Sequence, residues 1–435
     1  MRERAAEPAR RTVPRKEVMG WCAFDFANSS FTTLITTVAF SVYFRVAVVG
    51  SENPSGDLLW SVAGIAVNLV LIATSPVLGA MADYSGRKKR LLLATVVQTV
   101  AATALLSLAG PGRVGLALGL YIVASVGFEG GYIFYNAFLP EISTPETSGK
   151  ISGLAWGVGF VGGLVSLLAC SSFIGRPLTQ AGGVLDPSAT AGYRLSFLIV
   201  AGFFALFSIP TFLFLKESAP LGRIRRPSEY VAIGFRRVGD TLRHLGQHRE
   251  TAKYVLAYVC FFGGINTVIR FSAIYASGTF GIRGSELVML FVFTNLVAVP
   301  GTLAAGWLAD RFGQKRALAA TLVLWVAVAL EGAFASGRLM FWLMATGAAI
   351  GMGSTQAISR SFMALLSPPD RESEFFGFYV LAGQLGSILA FLVFGLVSSG
   401  SGSQRLAVLW TVPFFVAGLL LTLWIRDRKP DAAAT

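Results

Sequence analysis

Charge is what this chain has least of. Of its 435 residues only 14% are Asp, Glu, Lys or Arg, against 54% that are hydrophobic, and the mean hydropathy is +0.65. A soluble domain carries about 25% charged and about 45–50% apolar residues, so the side chains needed to clothe a water-soluble fold of this length are missing. Histidine is scarcer still. His244 and His248 are the only two, four apart with no cysteine nearby, and give no basis for a metal site. The three cysteines, Cys22, Cys170 and Cys260, lie in or beside apolar stretches without disulfide or ligand spacing and read as small packing residues. No Gly-x-x-x-x-Gly-Lys-Ser/Thr loop, catalytic triad, zinc-protease motif or dinucleotide fingerprint occurs. Enzymatic chemistry, direct ATP coupling and any cofactor are therefore not expected; a proton is the one candidate coupling ion. The first 17 residues are Arg-rich and polar, and the stretch after them is too long and interrupted for an h-region, so no cleavable signal peptide is expected.

What is abundant is long apolar sequence. Roughly 20 consecutive apolar residues make one membrane-spanning helix. The pattern predicts spans at 18–48, 57–82, 90–110, 114–138, 150–174 and 193–215, then at 252–277, 285–309, 316–336, 339–363, 375–399 and 404–425. The expected fold is an all-α membrane protein of twelve transmembrane helices. Its organisation is a tail (1–17), a six-helix bundle (18–216), a linker (217–251), a second six-helix bundle (252–425) and a second tail (426–435). In the linker, Val231, Phe235, Val238, Leu242 and Leu245 recur at helical spacing, with Arg236, Arg237, Arg243 and Arg249 available for another face. That predicts an amphipathic helix on the membrane surface, the alternative being a plain basic linker.

The formal charge is +13, and its distribution is one-sided. Most of the Lys and Arg fall in the tails, the linker and the cluster Arg87, Lys88, Lys89 and Arg90, on one side of the predicted spans. The positive-inside rule makes that side, with both termini, cytoplasmic, in a multi-pass protein of the plasma (inner) membrane. Anionic lipids, not nucleic acid, are the expected partners of this face.

The two halves repeat. Gly79-Ala-Met-Ala-Asp83-Tyr-Ser-Gly86-Arg87-Lys88 follows the second span, and Gly306-Trp-Leu-Ala-Asp310-Arg-Phe-Gly313-Gln-Lys315 follows the eighth; Gly159 and Gly162 are matched by Gly383 and Gly386. Two pseudo-symmetric bundles are predicted. The glycine and acidic-basic pattern of these loops resembles the signature loop of the major facilitator superfamily. Trp21-Cys-Ala-Phe-Asp25-Phe-Ala-Asn28-Ser29-Ser30-Phe31, Tyr135-Asn136-Ala-Phe-Leu-Pro140-Glu141 and Ser359-Arg360-Ser361 resemble its vacuole-effluxer-like branch, whose bacterial members are called "unknown major facilitator" proteins. The resemblance implies alternating access by rocking of two bundles and, for the fungal relatives, export of amino acids from the vacuole. For the signature loops it implies a gate on the cytoplasmic side, closed by Asp83 and Asp310 against neighbouring helices. Gly79 and Gly306 are expected to allow close helix approach. Gln314 stands in the second copy where Arg87 stands in the first, which weakens that copy electrostatically. On the fifth span Gly153, Gly157, Gly159, Gly162 and Gly163 form small-xxx-small steps.

Polar residues inside the spans say what kind of membrane protein this is. A charge at a helix centre costs about 2.5–3.5 kcal/mol on insertion scales. Asp25, Glu129, Arg270 and Arg360 together cost about 10–14 kcal/mol unless paired or hydrated. They lie on the first, fourth, seventh and tenth spans, which line the central cavity in the superfamily architecture. Asp25 and Asn28, Asn266 and Arg270, and Gln356 and Arg360 each share a helix face, and Glu129 and Gln356 are equivalent in the repeat. The candidate cavity set is thus Asp25, Asn28, Glu129, Asn266, Arg270, Gln356 and Arg360.

Two roles remain open for it: contact with solute or proton, and pairing between the halves as a gate. In the first, a small zwitterion places its carboxylate on Arg270 or Arg360, whose planar fork matches it, and its amine on Asp25 or Glu129. Glu129 is the preferred proton carrier, because low-dielectric surroundings disfavour its ionised form. The expected function is a secondary active transporter of a small polar, amino-acid-like solute, exporting it with a proton as candidate coupling ion. The alternatives are a drug/proton antiporter of the same fold and a non-transporting sensor. No ring of like charges supports a channel.

Overall fold

Backbone amides have no water to bond inside a bilayer, so an apolar run satisfies them internally by becoming a helix. The structure, a computed structural model, describes residues 14–142, 145–179, 183–217, 227–245, 249–366 and 372–426. Helices α1 (Arg15–Val48), α2 (Gly56–Tyr84), α3 (Lys88–Leu108), α4 (Val114–Asn136), α5 (Pro145–Ile174) and α6 (Pro187–Phe214) come first. A linker helix (Pro227–Leu245) leads to α7 (Arg249–Thr279), α8 (Ser285–Phe312), α9 (Gln314–Phe334), α10 (Arg338–Leu366), α11 (Glu372–Ser401) and α12 (Gln404–Trp424). This is the expected all-α, multi-span architecture of two six-helix bundles.

Among the described residues, 11 of these helices are both long and apolar enough to cross a membrane. The exception is α10, whose 29 residues suffice in length but whose second half carries Ser354, Thr355, Gln356, Ser359, Arg360 and Ser361. Helix α6 starts earlier than its apolar run because Asp186 caps it, its carboxylate accepting from the amides of Ser188 at 2.7 Å and Ala189 at 3.2 Å with Pro187 in the first turn. Helix α1 winds as a π-helix over Phe31–Val38 and Phe44–Val48, and α12 is interrupted at Trp410 and Thr411. The outer faces of α3, α6, α9 and α12 expose Leu93 and Val97, Leu206 and Leu213, Val323 and Phe334, and Leu420 and Leu423. Such apolar bands are stable only against lipid.

Close backbone approach sets the pseudo-symmetry. A Cβ at Gly162 would overlap the carbonyl of Phe26, pressing α5 on α1; at Gly386 it would overlap the carbonyl of Val259, pressing α11 on α7. The glycines repeated in sequence therefore make the same contact in each bundle. Gly86 (φ 60°) and Gly313 (φ 91°), equivalent positions of the repeated loop, both take the left-handed backbone that turns α2 into α3 and α8 into α9. At Gly79 a Cβ would meet no atom of the described residues within 4 Å.

The alternation of helices puts the start of α1, the linker helix and the end of α12 on one face, the basic face. The turns after α1, α3, α5, α7, α9 and α11 lie at the far face. The apolar core shows where the bundles join. One buried cluster runs through the first bundle and crosses into the second through Phe271, Ile274, Leu287, Phe291, Phe341 and Phe391. A second, including Tyr254, Tyr258, Trp325, Phe362 and Phe415, stays within α7–α12. Among the described residues, the apolar packing that joins the bundles lies near the far face.

The linker helix packs on α2 and α11. A Cβ at Gly234 would overlap the Pro76 carbonyl of α2, while Val231 and Phe235 remain 45% and 50% exposed. The surroundings of Val238 and Leu242 lie outside the described residues.

Candidate functional site: a polar cleft between the bundles

The first-bundle wall is built on the motif that opens α1. Tyr135 of α4 donates its hydroxyl to Asp25 Oδ2 at 3.0 Å, Asn28 Nδ2 donates to Asp25 Oδ1 at 3.4 Å, and Tyr132 donates to Asn28 Oδ1 at 3.1 Å. Trp21 stacks on Tyr135 with ring centroids 4.5 Å apart and donates Nε1 to the Tyr135 carbonyl at 3.1 Å. The α1 motif and the Tyr-Asn motif ending α4 are thus two sides of one contact, which holds Asp25 buried and bonded. Glu129 lies one helical turn before Tyr132 and is half-buried. No hydrogen bond or ion pair holds its carboxylate among the described residues, and its charge bears on Tyr132.

Arg360 of α10 forms the opposite wall. Its guanidinium carbon lies 5.6 Å from the ring of Trp156 on α5, across the bundle boundary. It is near enough for its charge to bear on Asp25 and Tyr132 in one bundle and on Tyr258 and Tyr379 in its own. Tyr258 and Tyr379 stack at 3.8 Å, and Tyr254 donates to the Ser359 carbonyl at 2.7 Å. Gln356, one turn from Arg360, donates to the Met352 carbonyl at 3.2 Å. Asn266 donates to Ser387 Oγ at 2.7 Å and so ties α7 to α11.

Arg360 thus lies near Asp25 and Tyr132 across the bundle boundary, with Glu129 one turn before Tyr132, and Arg270 is held elsewhere. Its Nη1 donates to Tyr121 Oη and its Nη2 to the Trp60 carbonyl, both at 2.9 Å, while Trp60 Nε1 donates back to the Arg270 carbonyl at 3.2 Å. The guanidinium lies 4.4 Å from the Trp60 ring and 5.2 Å from those of Tyr121 and Phe391. Gly64 makes room for it, since a Cβ there would lie 2.8 Å from Arg270 Nε. Tyr121 and Glu129 are about 12 Å apart along α4 at 1.5 Å per residue, which sets this aromatic box toward the far face.

Sequence reasoning missed a second far-face contact. Asp57, in the first turn of α2, bonds Arg45 of α1 at 3.2 Å, accepts from Gln404 Nε2 of α12 at 2.8 Å and also accepts from Ser398 of α11. Gln404 Oε1 accepts from Thr279 of α7 at 3.1 Å. A buried carboxylate with partners in both bundles clasps this end shut. The available signal was Arg45, a charge within the apolar run of the first span. The cleft tyrosines had a signal too, in the helical spacing of Tyr132 with Tyr135 and Tyr254 with Tyr258.

At the basic face the signature loops bond within their own bundles. Lys88 pairs with Glu141, Lys89 Nζ donates to the Leu215 carbonyl ending α6 at 2.8 Å, and Lys315 donates to the Ile425 carbonyl ending α12 at 2.6 Å. Cations at helix C-termini complement the helix dipole. Arg87 is exposed. The side-chain surroundings of Asp83, Gly306 and Asp310 lie outside the described residues.

The geometry is that of two bundles joined at the far end, with polar side chains of both bundles near one another farther along. The profile of the "Vacuole effluxer Atg22 like" family matches residues 45–434. The chain belongs to this family. It is similar to the "Uncharacterized MFS-type transporter YxiO" of Bacillus subtilis, 30% identical over 417 residues that cover 95% of each chain. It is also similar to "Autophagy-related protein 22" of Eremothecium gossypii, 22% identical over 294 residues, 64% of this chain and 56% of that one. In structure it is similar to a bacterial homologue of the human lysosomal transporter Spinster in an inward-facing, unoccupied conformation. There the TM-score is 0.70 at 17% identity, covering 97% of this chain and 100% of that one. The vacuole-effluxer-like chain is thus a major facilitator transporter, moving small molecules across a membrane by alternating access.

Proposed function

We propose that this transporter exports a small zwitterionic, amino-acid-like solute, held in the cleft with its carboxylate on Arg360 and its amine toward Glu129. The observation that carries this is Arg360 of the second bundle reaching Trp156 of the first, while Glu129 on the first bundle has no bond to a described residue and Asp25 is already bonded to Tyr135 and Asn28. A solute with both charges bridges the walls, and the planar fork of Arg360 suits a carboxylate. The family description, vacuole effluxer, supports export. Glu129 is the proton carrier in this reading, because a carboxyl within the spans that no described residue pairs is the group whose charge is cheapest to remove.

The excess of Lys and Arg on the basic face supports a plasma-membrane orientation with that face and both termini in the cytoplasm. The exposed Val231, Phe235, Arg236 and Arg243 of the linker helix suit contact with anionic lipid there. Counterflow of radiolabelled amino acids in proteoliposomes tests the solute class. Exchange of amino acids that acetate and methylammonium do not compete is expected. Exchange of lipophilic cations in its place would overturn the zwitterion reading in favour of drug efflux.

A further inference from the structure

Beside the far-face clasp lies a cavity of about 370 Å³ that belongs to neither bundle alone. Its first-bundle wall includes Arg45, Glu52 and Tyr193, and its second-bundle wall includes Ser277, Arg283 and Gln404. Small-molecule sites measure about 300–1,000 Å³. This one stands at the low end, right for a metabolite of amino-acid size and too small for a bulky amphipath.

The charges in it are unequal in standing. Arg45 is answered by Asp57 at 3.2 Å. Arg283 and Glu52 both line the cavity and are solvent-accessible. No ion pair within 4.0 Å joins either to a described residue. Their side-chain contacts are long ones: Arg283 Nη1 to Thr179 Oγ1 at 3.5 Å, and Ser51 Oγ to Glu52 Oε1 at 3.5 Å. One cavity thus presents a cation and an anion, carried by different bundles and unused by each other. The complementary ligand carries both signs.

We propose that this cavity is a second solute site, at the far face, for a small zwitterion whose carboxylate meets Arg283 and whose ammonium meets Glu52. Because its walls come from both bundles, such a ligand makes all its contacts only while they are together at this end. Arg45 and Gln404 belong to both the cavity wall and the clasp, so the bound solute lies against the bonds that hold this end shut. By linkage, solute on the far side favours the closed far end. For an exporter that amounts to feedback from the compartment it fills. The site is separate from the central cleft and stands whether or not the cleft takes the same solute.

The test uses the full chain in lipid nanodiscs, its three native cysteines replaced by alanine and spin labels placed at Ser55→Cys and Ser336→Cys. Both positions are exposed far-face turns, one in each bundle. The probe is a millimolar mixture of glycine, L-leucine and L-glutamine, with acetate and methylammonium as single-charge controls. The mixture is expected to enlarge the short-distance population at least twofold, and neither control to do so. Glu52→Gln and Arg283→Gln are each expected to lose the response. Glu52→Arg combined with Arg283→Glu is expected to regain it, as a merely structural role would not. No response in the parent chain, an equal response to acetate alone, or a response surviving both single substitutions would each overturn the proposal. A chain that fails amino-acid counterflow yet shows the swap-dependent response keeps this site and sinks the reading of the cleft.

Discussion

The guanidinium of Arg270, carried by the second bundle, reaches into the first and donates to the hydroxyl of Tyr121 at 2.9 Å. Its Nε is buried without an acceptor, and three aromatic rings take the place of a counter-ion. Parting the bundles at the far face would break these bonds, because Trp60 and Tyr121 belong to the first bundle and Arg270 to the second, which makes the contact a candidate latch.

Removing the latch is expected to open the far face. Hydrogen bonds to a charged group contribute about 1.5–3 kcal/mol, so Arg270→Ala shifts the balance toward the far-open state by about ten- to a hundredfold. Ser277→Cys, which lines the far-face cavity, reports this through its rate of modification by a membrane-impermeant maleimide. An unchanged rate would show that Arg270 does not hold the bundles together.

The two buried-span arginines are expected to separate in their effects. Arg360→Lys loses the planar fork in the cleft and raises the half-saturating solute concentration in counterflow by about tenfold or more. Arg270→Lys leaves solute affinity within about twofold and changes the rate of exchange. Equal losses of affinity in both variants would place the two arginines in one site.

Glu129→Gln keeps the shape and removes the titratable carboxyl. Flux driven by a pH gradient is expected to fall to background, while counterflow, which needs no net proton movement, persists. Loss of both, or of neither, removes Glu129 as the proton carrier.

Packing gives a contrast among glycines. Gly162→Ala and Gly386→Ala each drive a methyl group into a backbone carbonyl of the neighbouring helix, and overpacking of this kind costs about 1–3 kcal/mol. Gly79→Ala meets no atom of the described residues within 4 Å and is expected to be neutral. Thermal denaturation in detergent, followed by size-exclusion chromatography, ranks the three. Destabilisation by Gly79→Ala equal to that of the others would contradict the described packing.

Much of this molecule was legible before any helix was packed. The repeat of Gly159 and Gly162 in Gly383 and Gly386 foretold equivalent helix contacts, because close approach needs glycine wherever it happens. The opening motif of α1 pointed to Asp25 and Asn28, and the cost of burying charge pointed to Glu129 and Arg360. What that cost could not tell was where along the bundle each charge would find shelter. Arg270 and Arg360 look alike in sequence, each with an amide residue one turn before it. One lies in an aromatic box toward the far face, and the other reaches across the bundle boundary to Trp156.

The chain by itself determined its solvent, its twelve spans, their repeat and the sidedness of its charge, since transfer into lipid is summed locally along the sequence. Only the tertiary structure decided which charges meet. Asp57 and Gln404 come together across almost the whole chain, and such pairs depend on how two rigid bundles are set against each other. No local pattern encodes that setting, and in a transporter it is the quantity that changes.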